Sequence, residues 1–262
     1  MNICIIGLGW LGAPLAKHLQ QEGHLVVGST RTIAKQKVLQ NEGIKTVLFD
    51  LETSKNLPNE LNSNIDLVIF TVPPIRKYLQ TYYGDKLNGI AAQFSSNTAF
   101  IFTSSISVYS KKTGRYDETS TDLNVSSTII QAETALTKLL DSRLTIVRLG
   151  GLIGLFRHPI KSLQGKQNIK NPNGIINFVH LNDAISAFDA IIKKDRFGHI
   201  YNVVNPDHPE RESYYQELVK ANDLLPIQFE KSGEIIRREI GASKICRELS
   251  FKFTSSIRNF NS

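Results

Sequence analysis

Three glycines near the start of the chain, Gly7, Gly9 and Gly12, stand in the spacing G-x-G-x-x-G, which suits a backbone that must wrap a pyrophosphate. In such a loop the first glycine permits a tight turn and the second lets main chain approach the phosphates. The third lets the following helix pack on the preceding strand. The helix start then offers N–H groups and the positive end of its dipole to the anion. The same glycines would serve any tight strand-to-helix turn, so the spacing acquires meaning only from its flanks. Both flanks are present. Asn2-Ile-Cys-Ile-Ile6 is apolar and rich in β-branched residues, as in a strand buried on both faces. Residues 10–21 read as a helix, so Trp10 and Leu11 join the glycines in the expected cofactor-binding set.

The end of the second strand usually separates the two nicotinamide dinucleotides. A carboxylate there binds the ribose 2′-hydroxyl of NAD, whereas an arginine accommodates the 2′-phosphate of NADP. Here the strand runs out as Gly28-Ser-Thr-Arg-Thr32, with no acid. Thr30 and Arg31 therefore point to NADP, with NAD as the alternative, although an exposed arginine after a strand needs no ligand. Asp50, after the third strand, is placed to meet the adenine edge or simply to start a turn. Ligands of open α/β sheets bind outside the carboxyl ends of the strands. Thr71, Val72 and Pro73, ending the fourth strand, and Thr103, ending the fifth, complete the expected set. The six histidines show no metal-ligand spacing, and no metal site is expected.

Strand and helix patterns alternate through the first half of the chain, which argues for βαβ units on a parallel sheet. Strands are expected over 2–6, 25–29, 44–49, 66–72, 98–103 and 144–149. Helices are expected over 10–21, 33–41, 76–94 and 127–140. Farther on, a helix starts at Asn182-Asp183, either of which would cap it, and runs to about 193. A last strand spans 198–204, a helix runs through 220, 235–240 is strand-like, and 243–249 is a short helix. The fold class is α/β, a Rossmann-type doubly wound parallel sheet with a small C-terminal substrate-cap subdomain. One NAD(P)-binding domain covers 1–262, with cap segments at about 155–177 and 205–262.

The 262 residues, 41% hydrophobic and 21% charged, are ordinary for a globular protein able to bury a full core. No apolar run of about eighteen residues suggests a membrane span, and a chain entering a strand at once is not expected to carry a leader. Two cysteines, Cys4 and Cys246, suggest neither a disulfide framework nor a zinc site, which fits a cytoplasmic location. The net charge of +7 is scattered, without an aromatic-basic platform for nucleic acid. An anionic small molecule is the more economical partner, and a plain basic surface explains the charge as well.

Four further segments carry a resemblance. Thr103-Ser-Ser-Ile-Ser-Val-Tyr109 resembles the S-S-x-x-V-Y stretch of extended short-chain dehydrogenases/reductases, the epimerase and dehydratase relatives. Gly114-Arg-Tyr-Asp-Glu118, Arg148-Leu-Gly-Gly-Leu-Ile-Gly154 and Phe178-Val-His-Leu-Asn-Asp183 are similar to later motifs of that family. The atypical YeeZ-like branch is resembled more closely still, at Gly7–Gly12, Arg157-His-Pro159, His199-Ile-Tyr-Asn202, His208-Pro-Glu-Arg211 and Ser243-Lys-Ile-Cys-Arg-Glu-Leu249 with Phe251 and Phe253. This resemblance, spread over nearly the whole chain, implies a nicotinamide cofactor, a sugar nucleotide or similar anionic substrate, and an association into homodimers.

It also implies a catalytic set, and here the chain departs from it. The family's serine falls on Ser105, the expected catalytic residue, which would orient and polarise the substrate oxygen. The family's Tyr-x-x-x-Lys falls on Val125 and Ile129, side chains that cannot move a proton. No tyrosine occurs between Tyr116 and Tyr201, so no shift of alignment restores the pair. Tyr78, Tyr82, Tyr83, Tyr109, Tyr116 and His180 are possible substitutes, each with a ready structural explanation. The relatives' Gly-Pro-Gly-Arg becomes Gly154-Leu-Phe-Arg157. Beyond it Lys161, Lys166 and Lys170 crowd a polar stretch that reads either as an anion-binding cap or as a basic loop. Arg211 and Arg238 are further candidate anion contacts. A non-catalytic dinucleotide sensor or interaction module is the alternative function.

Overall fold

The computed structural model describes the chain except for residues 55, 75–79, 155–156, 232, 234 and 259–262. Five strands and the helices between them build the first part: β1 (Asn2–Ile6), α1 (Gly12–Gln21), β2 (Leu25–Thr30), α2 (Ile33–Asn41), β3 (Lys45–Leu48), α3 (Asn59–Asn62), β4 (Leu67–Phe70), α4 (Gln80–Ala91) and β5 (Ala99–Ser105). The rest comprises β6 (Gly114–Tyr116), α5 (Thr128–Leu140), β7 (Leu144–Leu149), β8 (Gly151–Ile153), α6 (Ile160–Leu163), β9 (Phe178–His180), α7 (Leu181–Lys193), β10 (Ile200–Val203), α8 (Arg211–Ala221), β11 (Arg238–Ile240) and α9 (Ser243–Leu249).

Seven strands form the central sheet in the order β10-β7-β5-β4-β1-β2-β3. The pairs β1–β2, β2–β3, β1–β4 and β4–β5 are all parallel. From β1 the chain passes to β2 and β3 on one side, then crosses to β4 and β5 on the other. That reversal beside β1 is the topological switch point of a Rossmann fold, where ligands of such sheets bind.

The chain divides into two compact units. The first comprises Met1–Ser104, Val125–Val147 and Phe188–Ile200, and the second comprises Ser105–Asn124, Arg148–Ala187 and Tyr201–Ser262. In the first unit, Cys4, Ile6, Val68, Phe70, Phe100 and Phe102 pack against Leu87 and Ile90 of α4 and Ala132 and Leu136 of α5. The apolar strands are thus sealed by helices, as a parallel sheet requires. Burial pushes the Cys4 thiol far above its ordinary range, which keeps it protonated and inert. In the second unit, Ile160, Ile169, Ile176, Tyr214, Tyr215, Leu218 and Phe229 form a separate core. Two small parallel ladders, β6 with β11 and β8 with β9, brace it. Among the described residues no helix is long and apolar enough to cross a membrane.

Several boundaries differ from expectation. The first helix begins at Gly12 rather than residue 10, because Gly9 to Leu11 form the turn. β4 stops at Phe70, with Thr71 still donating its N–H to the Ile6 carbonyl at 3.0 Å, and β5 continues to Ser105. The expected helix over 76–94 is found as Gln80–Ala91; residues 76–79, including Tyr78, lie outside the described residues. Neither Asn182 nor Asp183 caps α7. The helix starts at Leu181, and the His180 ring accepts the Asn182 N–H at 3.2 Å. The Asp183 carboxylate instead accepts from the Thr254 N–H, the Thr254 hydroxyl and the Ser255 N–H at 3.0, 3.1 and 3.2 Å. It therefore fastens the C-terminal stretch within its own unit.

His158 makes a similar buried anchor. Its Nδ1 accepts the Ile160 N–H at 3.1 Å, which leaves Nε2 to donate to the Tyr214 hydroxyl at 2.8 Å. The Tyr214 hydroxyl in turn donates to the Ile257 carbonyl at 2.6 Å. Burial, with Lys161 nearby, lowers the His158 pKa to about 4. Unfolded histidine titrates near pH ~6.5, so between these values the unfolded chain binds the extra proton. This contribution to stability is present above about pH 6.5 and is lost as pH falls toward 4. The melting temperature should drop over that interval, and His158→Gln, which has no charge to gain, should show a shallower drop. Parallel profiles would contradict the assignment.

Candidate functional site

The glycine loop leaves β1 with Gly7 at φ +107°, a left-handed backbone that a side chain would strain. The N–H groups of Gly7, Leu8 and Gly9 all have partners. Gly7 donates to the Ser29 hydroxyl at 3.0 Å, Leu8 to the Ser29 carbonyl at 2.7 Å, and Gly9 back to the Gly7 carbonyl at 2.6 Å. From β4's end, the Thr71 hydroxyl donates to the same Gly7 carbonyl at 2.5 Å. The loop is clamped from both neighbouring strands, so its shape exists before any ligand arrives.

The three glycines have different surroundings. A Cβ on Gly7 would lie 2.6 Å from Val72 Cγ2. One on Gly12 would overlap the Gly7 carbonyl oxygen and come within 2.8 Å of Thr71 Oγ1. One on Gly9 would meet nothing nearer than the Gly7 carbonyl oxygen at 3.9 Å. Gly7 and Gly12 are thus required by the protein's own packing, while Gly9 faces open space. Helix α1 starts beside it with no side-chain cap and no acidic residue in its first turn, which leaves its positive end available to an anion.

A cavity of about 230 Å³ opens along the carboxyl ends of β1 to β4 within the first unit, lined by Gly7, Leu8, Gly9, Ser29, Thr30, Arg31, Thr32, Lys35, Phe49, Asp50, Leu51, Thr71, Val72 and Pro73. Of the expected cofactor residues, Gly7, Gly9, Thr30, Arg31, Asp50, Thr71, Val72 and Pro73 meet in this one cavity. Trp10, Leu11, Gly12 and Thr103 do not line it. Leu11 and Gly12 are buried beneath the loop, where they support it through packing. The Thr103 hydroxyl is buried and has no hydrogen-bond partner among the described residues.

Leu8, Phe49, Leu51, Ser29, Thr32 and Lys35 were not anticipated. Phe49 and Leu51 form apolar walls, and Thr32 caps α2 by accepting the Lys35 N–H at 3.4 Å. Lys35 in that first helical turn and Arg31 before it bring two cations to the same cavity. The Asp50 carboxylate accepts the Glu52 N–H at 3.0 Å, a local turn of the kind aspartate favours. Arg31 in turn lies 3.9 Å from the Glu52 carboxylate.

In the second unit, Ser105 ends its strand, and its hydroxyl accepts the Ser107 N–H at 3.2 Å, capping the turn Ile106–Val108. Tyr109 is fully buried. Its hydroxyl donates to Asn202 Oδ1 at 2.7 Å and accepts from Arg148 Nη1 at 3.1 Å. Burial raises its pKa, with Arg148 opposing, so it stays a neutral structural link. The Glu118 carboxylate accepts the Asn202 N–H at 2.7 Å, and burial likewise raises its pKa.

Arg211 donates to the Lys170 carbonyl at 2.7 Å, and Arg238 donates to the carbonyls of Tyr109 and Ser110 at 3.3 and 3.2 Å. Both candidate anion contacts are therefore engaged with main chain. Arg157, Lys161, Lys166 and Lys170 are exposed. Leu155 and Phe156, the departure from the relatives' glycine-rich segment, lie outside the described residues.

Residues 2–127 match the family model for the NAD binding domain of 6-phosphogluconate dehydrogenase. The whole chain is 32% identical to Protein YeeZ of Escherichia coli strain K12, over 96% of this chain and 95% of that one. The chain belongs to the YeeZ family. Among solved structures it is similar to the NAD complex of dTDP-glucose 4,6-dehydratase from Bacillus anthracis, with a TM-score of 0.78 at 16% identity over 98% of this chain and 93% of that one. It is similar also to UDP-glucuronic acid 4-epimerase from Bacillus cereus in complex with NAD, with a TM-score of 0.74 at 18% identity over 98% and 93%. These likenesses show the fold. This member of the YeeZ family thus has a Rossmann-type fold whose first half matches an NAD binding domain model, and its cavity lies where such sheets receive ligands.

Proposed function

We propose that the protein binds NADP(H), with NAD(H) as the weaker ligand, and presents it to a sugar nucleotide or similar anionic metabolite. The observation that carries this reading is the single cavity uniting the glycine loop with the ends of β2, β3 and β4. Gly7, Gly9 and the start of α1 would hold the pyrophosphate, Thr30 and Arg31 the adenosine ribose, and Phe49 to Leu51 the adenine. Thr71 to Pro73 would line the path beyond. A bound nicotinamide supplies hydride transfer. Arg31 and Lys35 supply positive charge beside the ribose, and the hydroxyl of Ser105 retains a proton with which to polarise a substrate oxygen. Arg31→Ala should weaken NADPH more than NADH in a fluorescence titration, and equal losses would contradict a 2′-phosphate contact.

A second reading, a non-catalytic dinucleotide sensor, is favoured by the family's two proton-transfer positions. Val125 is 79% exposed and Ile129 packs against the first unit's core, so neither position offers an acid or base. Incubating the cofactor-loaded protein with a panel of nucleotide sugars, with chromatographic analysis of products, separates the readings. Chromatography is needed because an epimerase returns its hydride and leaves the nicotinamide absorbance unchanged. Turnover lost in Ser105→Ala supports the enzyme; no turnover on any member of the panel supports the sensor.

A further inference from the structure

We propose that Glu52 sets the discrimination between 2′-phosphorylated and 2′-hydroxylated dinucleotides by serving as the resident counter-ion of Arg31. This inference rests on the dinucleotide reading of the cavity and adds to it a residue that does not line it.

The geometry separates the two partners' roles. Arg31 lines the dinucleotide cavity, and its side chain is 65% exposed. Glu52 is absent from that lining and instead borders a small neighbouring recess with Tyr82, Tyr83 and Lys86. Its side chain is only 21% exposed, so the carboxylate is the better-held member of the pair. The turn that places it is built, since the Glu52 N–H is tied to the Asp50 carboxylate at 3.0 Å and the Glu52 carbonyl accepts from Lys86 Nζ at 3.1 Å. The guanidinium is thus drawn toward a well-held anion 3.9 Å away that does not line the cavity.

A ribose 2′-hydroxyl leaves that pair intact. A 2′-phosphate competes with the Glu52 carboxylate for the same guanidinium. Glu52 therefore disfavours the phosphorylated cofactor. Lys35, on the first turn of α2, supplies a second cation to the cavity, so the 2′-phosphate is tolerated while the preference stays moderate. The absence of an acid at the end of β2 would otherwise predict strong selectivity for NADP(H). The acid has in effect been moved from the end of β2 to the stretch after β3.

The test is equilibrium titration of the full-length protein with NADPH and with NADH, for the wild type, Glu52→Gln, Arg31→Ala and the double variant. A solvent-facing ion pair of this kind changes affinity by about two- to fivefold. Glu52→Gln should therefore tighten NADPH by about that factor and leave NADH unchanged. In the Arg31→Ala background the same substitution should have little further effect, because the guanidinium through which it acts is gone. An unchanged NADPH/NADH ratio in a folded Glu52→Gln protein would overturn the proposal. So would an undiminished effect in the Arg31→Ala background, which would mean that the carboxylate acts on the phosphate directly. Saturable wild-type binding with an unaltered ratio refutes this inference alone, whereas wild-type protein that binds neither dinucleotide refutes the reading beneath it.

Discussion

Replacing Gly12 with alanine is expected to lower stability by about 1–3 kcal/mol, a fall in Tm of roughly 2–12 °C, and to abolish dinucleotide binding. The added methyl group would overlap the Gly7 carbonyl oxygen and press on Thr71 Oγ1 at 2.8 Å. That carbonyl is the hub of the loop, accepting from the Gly9 N–H and the Thr71 hydroxyl. Moving it breaks the turn and the clamp to β4 together. Neither neighbour is the flexible end of a long side chain, so the strain has no inexpensive outlet. Thermal melting with and without NADPH measures both effects. A variant that melts and binds like the wild type would contradict the packing described for α1 against β1.

Gly9→Ala should behave in the opposite way. Its Cβ would meet nothing in the protein closer than 3.9 Å, and Gly9 is exposed at the cavity. Stability should stay within about 0.5 kcal/mol of wild type, as for surface substitutions generally. Binding should nevertheless weaken by about 5- to 150-fold, the equivalent of 1–3 kcal/mol of steric intrusion at a site where ligand meets backbone. The contrast separates two reasons for a glycine that look identical in a sequence. On the proposed reading, one glycine serves the fold and the other serves the ligand. Normal melting with lost binding is the signature of the second, read by calorimetric titration beside a thermal melt.

The first half of the fold was legible in the chain because its signals are local. Asn2 to Ile6 is a continuous apolar run, Gly7 follows at once, and Thr32 marks a helix start. β1, α2 and α5 accordingly fall within a residue of their expected ends. The neighbourhood of the cavity was legible where it coincided with strand ends, as at Thr30, Asp50 and Thr71. It was not legible at Lys35 or Glu52, whose placement depends on how α2 and the turn after β3 pack. Their residue types are ordinary for a helix start and a loop. Leu11 and Gly12 lie buried beneath the loop, where α1 begins two residues later than its pattern suggested.

The second unit was harder to read for a physical reason. Its strands β6, β8 and β11 have three residues each, too short for alternation to show. Its polar residues serve tertiary bonds between distant segments. Asp183 looked like a helix cap and instead holds Thr254 and Ser255. Arg211 and Arg238 looked like anion contacts and instead donate to carbonyls. A sequence displays the valence of such groups and hides their partners.

The central claim is that the glycine loop and the cavity beside it hold a nicotinamide dinucleotide. Titration of the full-length protein with NADPH and NADH, followed by nicotinamide fluorescence, tests it most directly. The account predicts saturable one-site binding, tighter for NADPH, that is weakened in Gly9→Ala while the protein stays folded. Wild-type protein that binds neither dinucleotide at millimolar concentration, or a Gly9→Ala variant that binds both unchanged, would contradict it.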